Sequence, residues 1–344
     1  VTGPTIYDVA RAAGVATSTV SRALSNPGRV SEQTRARVLA AAAELGYAPS
    51  TRGKQLATGQ HDTIAMVLSD ITNPHFFELI RGAEQRAKAA GNTLVIVNAE
   101  ESPRIEREQV SRLADSVDGF VLASSRLPDH EIETLAERHR IVLLNRELPG
   151  VSSIALDTAS GCRQILEHLA SLGHRGFTYC AGPPASWMGA ARWAALSAGA
   201  EEHGLTARRV GPYTPTVAHG GVAADGALRS DTTALVAHND LLAIGIMRRL
   251  TQRGVRVPED LSVVGFDDIF AADFVQPSLT TLGGPGDQAG RLAVELLLGQ
   301  VPGRSPRPGA SPEQPHQVRL PTRLVLRDSS GVVPPDASEV RPGH

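Results

Sequence analysis

Aromatic side chains are scarce in this 344-residue chain, at 4%, and cysteine is scarcer, with Cys162 and Cys180 alone. Both cysteines sit among apolar or small residues without CxxC or Cys/His ligand spacing, which excludes a disulfide scaffold and makes buried thiols the expectation. No run approaches the roughly 18 apolar residues of a membrane span, and the opening VTGPTIYDVA offers neither a basic stretch nor an apolar one to act as an export signal. A cytoplasmic location without membrane contact is therefore expected. Catalytic motifs are missing as well: there is no GxSxG, HExxH or P-loop, and the glycine-rich GGPGDQAG at 283–290 departs from GxGxxG, contains Pro285 and precedes no acidic ribose partner. It reads as a turn opening a helix. The chain is not expected to be an enzyme or to carry a metal or cofactor.

Charge of neither sign dominates, with 34 Lys/Arg against 36 Asp/Glu, but its distribution is uneven. Residues 1–60 hold seven cations (Arg11, Arg22, Arg29, Arg35, Arg37, Arg52, Lys54) against Asp8, Glu32 and Glu44, so the remainder has 27 against 33. A basic head on an acidic body points to a polyanionic partner for the head. The length suggests two or three units at about 100–200 residues each, and the 41% hydrophobic content is that of a globular chain.

Residues 5–47 show apolar positions at helical spacing: Ile6, Val9, Ala10 and Ala13, then Val20 and Leu24, then Val38, Ala42 and Leu45. Gly14 separates the first helix from the second, Asn26-Pro27-Gly28 ends the second, and Ser31 before Glu32 reads as an N-cap. At 100° per residue, Thr17, Ser18, Ser21 and Arg22 share a sector of about 140°, opposite Val20, Ala23 and Leu24. Arg22 suits a bidentate contact to guanine, Thr17 and Ser18 can meet base edges, and Ser21 suits a phosphate; a solvated helix face is the alternative.

Beyond residue 62 the pattern changes to apolar runs, TIAMVLS, TLVIVN, GFVLAS, IVLLN, SSIAL, FTYCAG, TALVAH and SVVGFDD, alternating with amphipathic stretches. Strands buried on both faces and joined by helices build doubly wound α/β sheets, and this many strands implies two Rossmann-like lobes. Such sheets bind ligands at the carboxyl ends of their strands. Five places there carry polar or aromatic side chains: Asp70 to Phe77 after TIAMVLS, Asn145 and Arg146 after IVLLN, Arg192 beyond FTYCAG, Asn239 and Asp240 after TALVAH, and Asp267 and Asp268 after SVVGF. The closing VVPPDASEVRPGH is proline-rich and aperiodic, without a leucine heptad.

The run TIYDVARAAGVATSTVSRALSNPGRVSEQTRARVLAAAAELGYAPS resembles the headpiece of the LacI/GalR family of transcription regulators, and the resemblance continues to about residue 327. It implies an all-α helix-turn-helix headpiece over 1–49, a hinge over 50–60 and a periplasmic-binding-protein-like bilobed α/β effector domain over 61–328. The N-lobe would be about 61–157 plus 284–314, the C-lobe about 158–283 plus 315–328, with a disordered tail at 329–344. It further implies base contacts by Thr17, Ser18 and Arg22, phosphate contacts by Thr5 and Ser21, and insertion of Leu56 into the minor groove; an exposed linker leucine is the alternative there. Gly53-Lys54 stands where many relatives have Ala-Arg, and a helical glycine costs about 1 kcal/mol relative to alanine. His168 and His174 resemble a family helix end rather than a metal pair.

The same resemblance selects Asn73, Phe77, Asn145, Arg146, Arg192, Asn239 and Asp267 as effector contacts. Helix capping by Asp240 and Asp268, and a structural ion pair for Arg146, stay open. Trp187, Met188 and Tyr213 either stack on a pyranose or pack beneath their loops, the first favouring a di- or oligosaccharide. The function implied is a repressor, binding a pseudo-palindromic double-stranded operator as a homodimer and controlled by a small molecule, most simply a mono- or oligosaccharide. The competing reading is a stand-alone sugar receptor feeding a transporter, against which the headpiece argues.

Overall fold

The computed structural model describes residues 4–25, 29–47, 61–299 and 315–333. The chain divides into two compact units, Val1–His61 and Asp62–His344. The segment expected as a hinge, with Leu56, lies outside the described residues, as do 300–314 and 334–344.

The first unit is three helices, α1 (Ile6–Ala13), α2 (Thr17–Ser25) and α3 (Glu32–Leu45), around a core of small side chains: Val9, Ala10, Ala13, Val20, Ala23, Val38, Ala41 and Ala42. Gly14 ends α1 in the left-handed region, φ 61°, which a side chain would resist, and so sets the tight turn into α2. Ser31 caps α3, its Oγ accepting the Thr34 N–H at 3.3 Å. Leu45, expected on the buried face, is exposed, and Ala41 occupies the core instead.

The second unit holds two six-stranded sheets. Strands β1 (Thr63–Leu68), β2 (Thr93–Asn98), β3 (Phe120–Ala123), β4 (Ile141–Leu144), β5 (Ser152–Leu156) and β11 (Gln317–Leu320) form a parallel sheet ordered β11-β5-β4-β3-β1-β2. Strands β6 (Gly176–Cys180), β7 (Thr206–Val210), β8 (Ala234–Ala237), β9 (Ser262–Phe266), β10 (Thr280–Gly283) and β12 (Arg323–Val325) form the other, ordered β12-β10-β9-β8-β6-β7, with β12 alone antiparallel. All eight apolar runs become strands. Helices cover both faces: α4 (His75–Ala89), α5 (Pro103–Leu113) and α6 (Asp129–Arg138) in the first lobe, then α7 (Thr158–Ser171), α8 (Trp187–Ala200), α9 (Gly220–Ala227), α10 (Asp240–Gln252) and the short α11 (Ala271–Phe274) in the second. The chain then returns to the first lobe as α12 (Gly286–Gly299), which packs along α4. Gly82 and Gly290 permit that approach, since a Cβ on either would lie 1.9 Å from a backbone carbonyl oxygen of the other helix.

Two expected boundaries move. Strand β11 pairs with β5 in the first lobe, so the last crossing between lobes falls at 321–322 rather than at 314–315. Ordered structure also runs past 328: Ser329 is fully buried, its N–H donating to the Ser278 carbonyl at 2.8 Å and its carbonyl accepting the Val263 N–H at 2.7 Å. This returning turn satisfies the Val263 N–H, which β9 would otherwise leave bare. Cys162 and Cys180 are free and buried, and burial pushes both thiols up to about 12.

Candidate functional site

Because the strands of each lobe run parallel, their carboxyl ends deliver loops to one edge. A polar cavity of about 40 Å³ lies where these edges face each other. The first lobe contributes Ser69 and Asn73 after β1, His75 and Phe76 from α4, Glu101 after β2, Ser124 and Arg126 after β3, and Asn145 after β4. Ser186, Met188 and Arg192 around the start of α8, His238 and Asn239 after β8, and Asp267 after β9 come from the second.

Backbone strain collects here. Among the described residues, non-glycine positive φ values include Glu101 (56°), Ser124 (55°), Asn145 (57°) and Asp267 (108°), all four of them lining the cavity. Such conformations cost of order 1–3 kcal/mol each and persist where the surroundings over-determine them. Asp240 illustrates the restraint on Asp267. Its fully buried carboxylate accepts the Ile269 N–H at 2.9 Å and the Thr281 hydroxyl at 2.6 Å, fixing the loop. Burial, with Asp267 nearby, pushes this carboxyl well above the usual range. Asp240 is therefore neither a helix cap nor a cleft residue; the cap of α10 is Asn239, whose Oδ1 accepts the Leu242 N–H at 3.0 Å.

The charged centre is Arg192 with Asp267, 3.0 Å apart and 7% and 5% exposed. Arg192 also donates to the His238 carbonyl, lies 4.2 Å over the Phe266 ring and keeps its Nε without a partner. His75 spans the lobes. Asn145 donates from Nδ2 to His75 Nε2 at 3.0 Å, which leaves the ring proton on Nδ1, 3.7 Å from Asp267 Oδ1. His238 is wholly buried, and burial followed by the charges of Arg192 and Arg126 holds its pKa well below the usual imidazole range.

Of the residues selected from sequence, Asn73, Asn145, Arg192, Asn239 and Asp267 line one cavity. Phe77 is half exposed, stacks on Phe270 with ring centroids 6.4 Å apart and lines an adjoining cavity of about 270 Å³ that shares His75, Asn145 and Asp267 with the polar one, while buried Phe76 faces the polar one. One residue along a helix is a 100° rotation, enough to exchange their positions. Arg146 also points elsewhere, donating to the Ser125 and Leu127 carbonyls and to Asp129 beneath the β3 loop. The same rotation brings Met188 and Arg192, four apart on α8, to the cavity while Trp187 stays off it. Tyr213 packs against the second lobe's core. Asp268 pairs with Arg327 at 2.8 Å.

His75 and Phe76 lay within the stretch singled out after TIAMVLS but were not selected, and Ser69, Glu101, Ser124, Arg126, Ser186, Pro215 and His238 were not selected either. Extending the carboxyl-end rule to TLVIVN and GFVLAS, two of the three runs it skipped, would have reached Glu101, Ser124 and Arg126.

In the first unit, Ser18, Ser21 and Arg22 are exposed on α2, Thr17 is half-buried at its start, and Val20 and Ala23 face inward. Thr5 is committed locally: its N–H and hydroxyl both donate to Asp8, at 2.9 and 2.7 Å, so a phosphate there would compete with that carboxylate. No cluster of three or more His, Cys, Asp or Glu with metal-binding geometry occurs among the described residues, and none of their helices is long and apolar enough to cross a membrane.

Residues 5–50 match the model of the bacterial regulatory proteins of the lacI family, and 166–330 match that of the periplasmic binding protein-like domain. The HTH-type transcriptional repressor CytR of Escherichia coli is 31% identical over 97% of this chain and 98% of its own length. The HTH-type transcriptional regulator GalS of Salmonella typhimurium is 33% identical, over 86% and 89%. The solved Lac repressor dimer bound to operator and the anti-inducer ONPF superposes with a TM-score of 0.83 at 28% identity, covering 96% of this chain and all of that one. The cellobiose complex of the transcriptional regulator CelR gives 0.69 at 28% identity, over 95% and 99%. A helix-turn-helix head with an exposed polar second helix, joined in one chain to a bilobed α/β domain and matched over most of its length by these relatives, makes this chain a member of the lacI family of DNA-binding transcriptional regulators.

Proposed function

We propose that this regulator is a homodimeric repressor whose operator affinity is set by a sugar or similarly hydroxylated molecule held between the lobes. The buried Arg192–Asp267 pair carries the reading. A guanidinium and a carboxylate fixed side by side, with Asn73, Asn145 and Asn239 around them, offer donors and acceptors at the spacing of adjacent hydroxyls. Each hydroxyl left unpaired on burial would cost affinity, so such a site selects ligands rich in them. Structural neighbours were solved with cellobiose or ribose bound, which supports the ligand class. His75 reaches Asn145 of its own lobe and lies 3.7 Å from Asp267 of the other, so an effector that competes for those partners would change how the lobes meet.

On the DNA side, Thr17, Ser18 and Arg22 read bases in the major groove while Ser21 holds phosphate, and two copies convert a half-site into a pseudo-palindrome. Linkage between the two sites of such regulators amounts to about 1–3 kcal/mol. The test is a gel shift on the DNA upstream of its own gene, titrated with mono- and oligosaccharides. A shifted fragment released or tightened by one sugar is expected; a protein that shifts no such fragment overturns the reading.

A further inference from the structure

Arg126, at the carboxyl end of β3, is 5% exposed and belongs to the first lobe's wall of the polar cavity. Its Nε and Nη2 meet the two carboxylate oxygens of Glu101 at 2.6 and 2.9 Å, and Nη1 donates to the Ser124 carbonyl at 2.9 Å. A guanidinium has five N–H bonds. Three are thus committed, and the others have no partner among the described residues.

The pair is rigidly held. The Arg126 backbone N–H donates to the buried Glu106 Oε2 at 2.8 Å, while Arg146 grips the carbonyls on either side, those of Ser125 and Leu127. Glu101 and Ser124 hold their positive φ values around it. Glu101 and Arg126 line the same cavity as His238 and Arg192 of the opposite lobe, so the pair faces the second lobe across it. Each lobe therefore brings one arginine already neutralised by one carboxylate: Arg126 with Glu101, and Arg192 with Asp267.

We propose that Glu101 and Arg126 form a second specificity pole that reads an uncharged, hydroxylated end of the effector and rejects phosphorylated or carboxylated ligands. This rests on the cleft being the effector site. A free guanidinium fork would clamp a phosphate in bidentate fashion, but here Glu101 occupies that edge. An entering anion would meet the carboxylates of Glu101 and Asp267 with no unpaired cation to offset them. A hydroxyl, in contrast, can accept from a remaining Arg126 N–H and donate to a Glu101 lone pair at once. With a pole on each lobe, the favoured ligand is neutral and hydroxylated at both ends.

Removing Glu101's charge should convert the pole into an anion site, which can be tested without knowing the effector. The full chain is melted in rising inorganic phosphate, ionic strength being held constant with sodium chloride, as wild type, Glu101→Gln and Glu101→Gln/Arg126→Met. The wild type should show no phosphate-dependent rise in melting temperature, the single variant a rise equivalent to about tenfold tighter phosphate binding or more, and the double variant none. Glu101→Ser replaces Glu101→Gln if the latter does not fold. Phosphate stabilisation of the wild type that vanishes with Arg126→Met overturns the proposal, as does a Glu101 variant that folds and gains nothing. Sugars without effect on operator binding would count against the effector reading instead, since the phosphate result does not depend on it.

Discussion

Asp267 adopts φ 108°, a conformation that glycine accepts and aspartate resists, and it holds there because its carboxylate sits beside Arg192 while Asp240 ties the following backbone. Truncating Arg192 to alanine strands a buried carboxylate, which should cost about 3 kcal/mol of stability in urea denaturation. The double variant Arg192→Met/Asp267→Asn, which removes both charges, should recover a good part of that loss. Both should bind operator at permissive temperature yet ignore every sugar; an unchanged induction curve for Arg192→Ala would remove the pair from the site. A second residue makes a pH prediction. His174 is pinned by Thr233 at 2.7 Å and Ser262 at 3.1 Å, and burial pulls its pKa down to about 4 from the ordinary 6.5. The unfolded chain then takes up this proton first as pH falls, so the stability that neutral His174 supports is intact above about 6.5 and is lost progressively towards about 4. Denaturation midpoints at pH 7 and pH 5 should differ less in His174→Gln than in the wild type; an equal difference would assign the pH dependence to other groups.

Elements were more legible than the side chains they aim. Strands buried on both faces announce themselves as continuous apolar runs, and all eight such runs form strands. β7 (Thr206–Val210), reading TARRV with mostly exposed residues at a sheet edge, carries no such signal. β11 and β12, at the opposite edges, are similarly exposed, and this hid the late crossing between lobes. Within the site, strand ends fixed the neighbourhood of Asn145, Arg192 and Asp267. Helical phase turned Phe76 to the smaller polar cavity and Phe77 to the larger one beside it, and Met188 rather than Trp187 to the polar one, a difference of one residue that periodicity does not settle at the first turn of a helix. Arg146 was ambiguous because residues after a strand can point into the cleft or beneath it. Its guanidinium lies beneath, holding the Ser125 and Leu127 carbonyls that shape the loop carrying Arg126. Arg146→Met should therefore destabilise the body by about 2–3 kcal/mol, for the buried acceptors it abandons, and should weaken effector response through the displaced loop. An effector response fully preserved in this variant would show that the loop needs no such support.

At the scale of the whole molecule, charge divides the labour: the cations concentrated in the first 60 residues meet a polyanion, while the cleft arginines of the body are each matched by a carboxylate. The two kinds of arginine should therefore answer differently to salt. Arg22, exposed on α2 beside Ser18 and Ser21, is the base contact proposed above, and Arg35, exposed in the first turns of α3, serves as the comparison: a cation that, if it meets DNA, meets backbone phosphate. Losing a bidentate base contact costs about 1–3 kcal/mol and relaxes preference at one operator position, whereas losing a phosphate contact weakens all sequences alike and lowers the salt slope by about one. Arg22→Ala and Arg35→Ala, titrated by fluorescence anisotropy on operator and on scrambled DNA across a range of salt, should separate along these lines. If Arg22→Ala weakened operator and scrambled DNA equally, α2 would be gripping the backbone rather than reading sequence, and the bases would have to be read by another part of the head. Arg126→Met, distant in sequence and matched by Glu101, should leave both slopes where the wild type has them, because a cation already paired with a carboxylate releases no counterions from DNA.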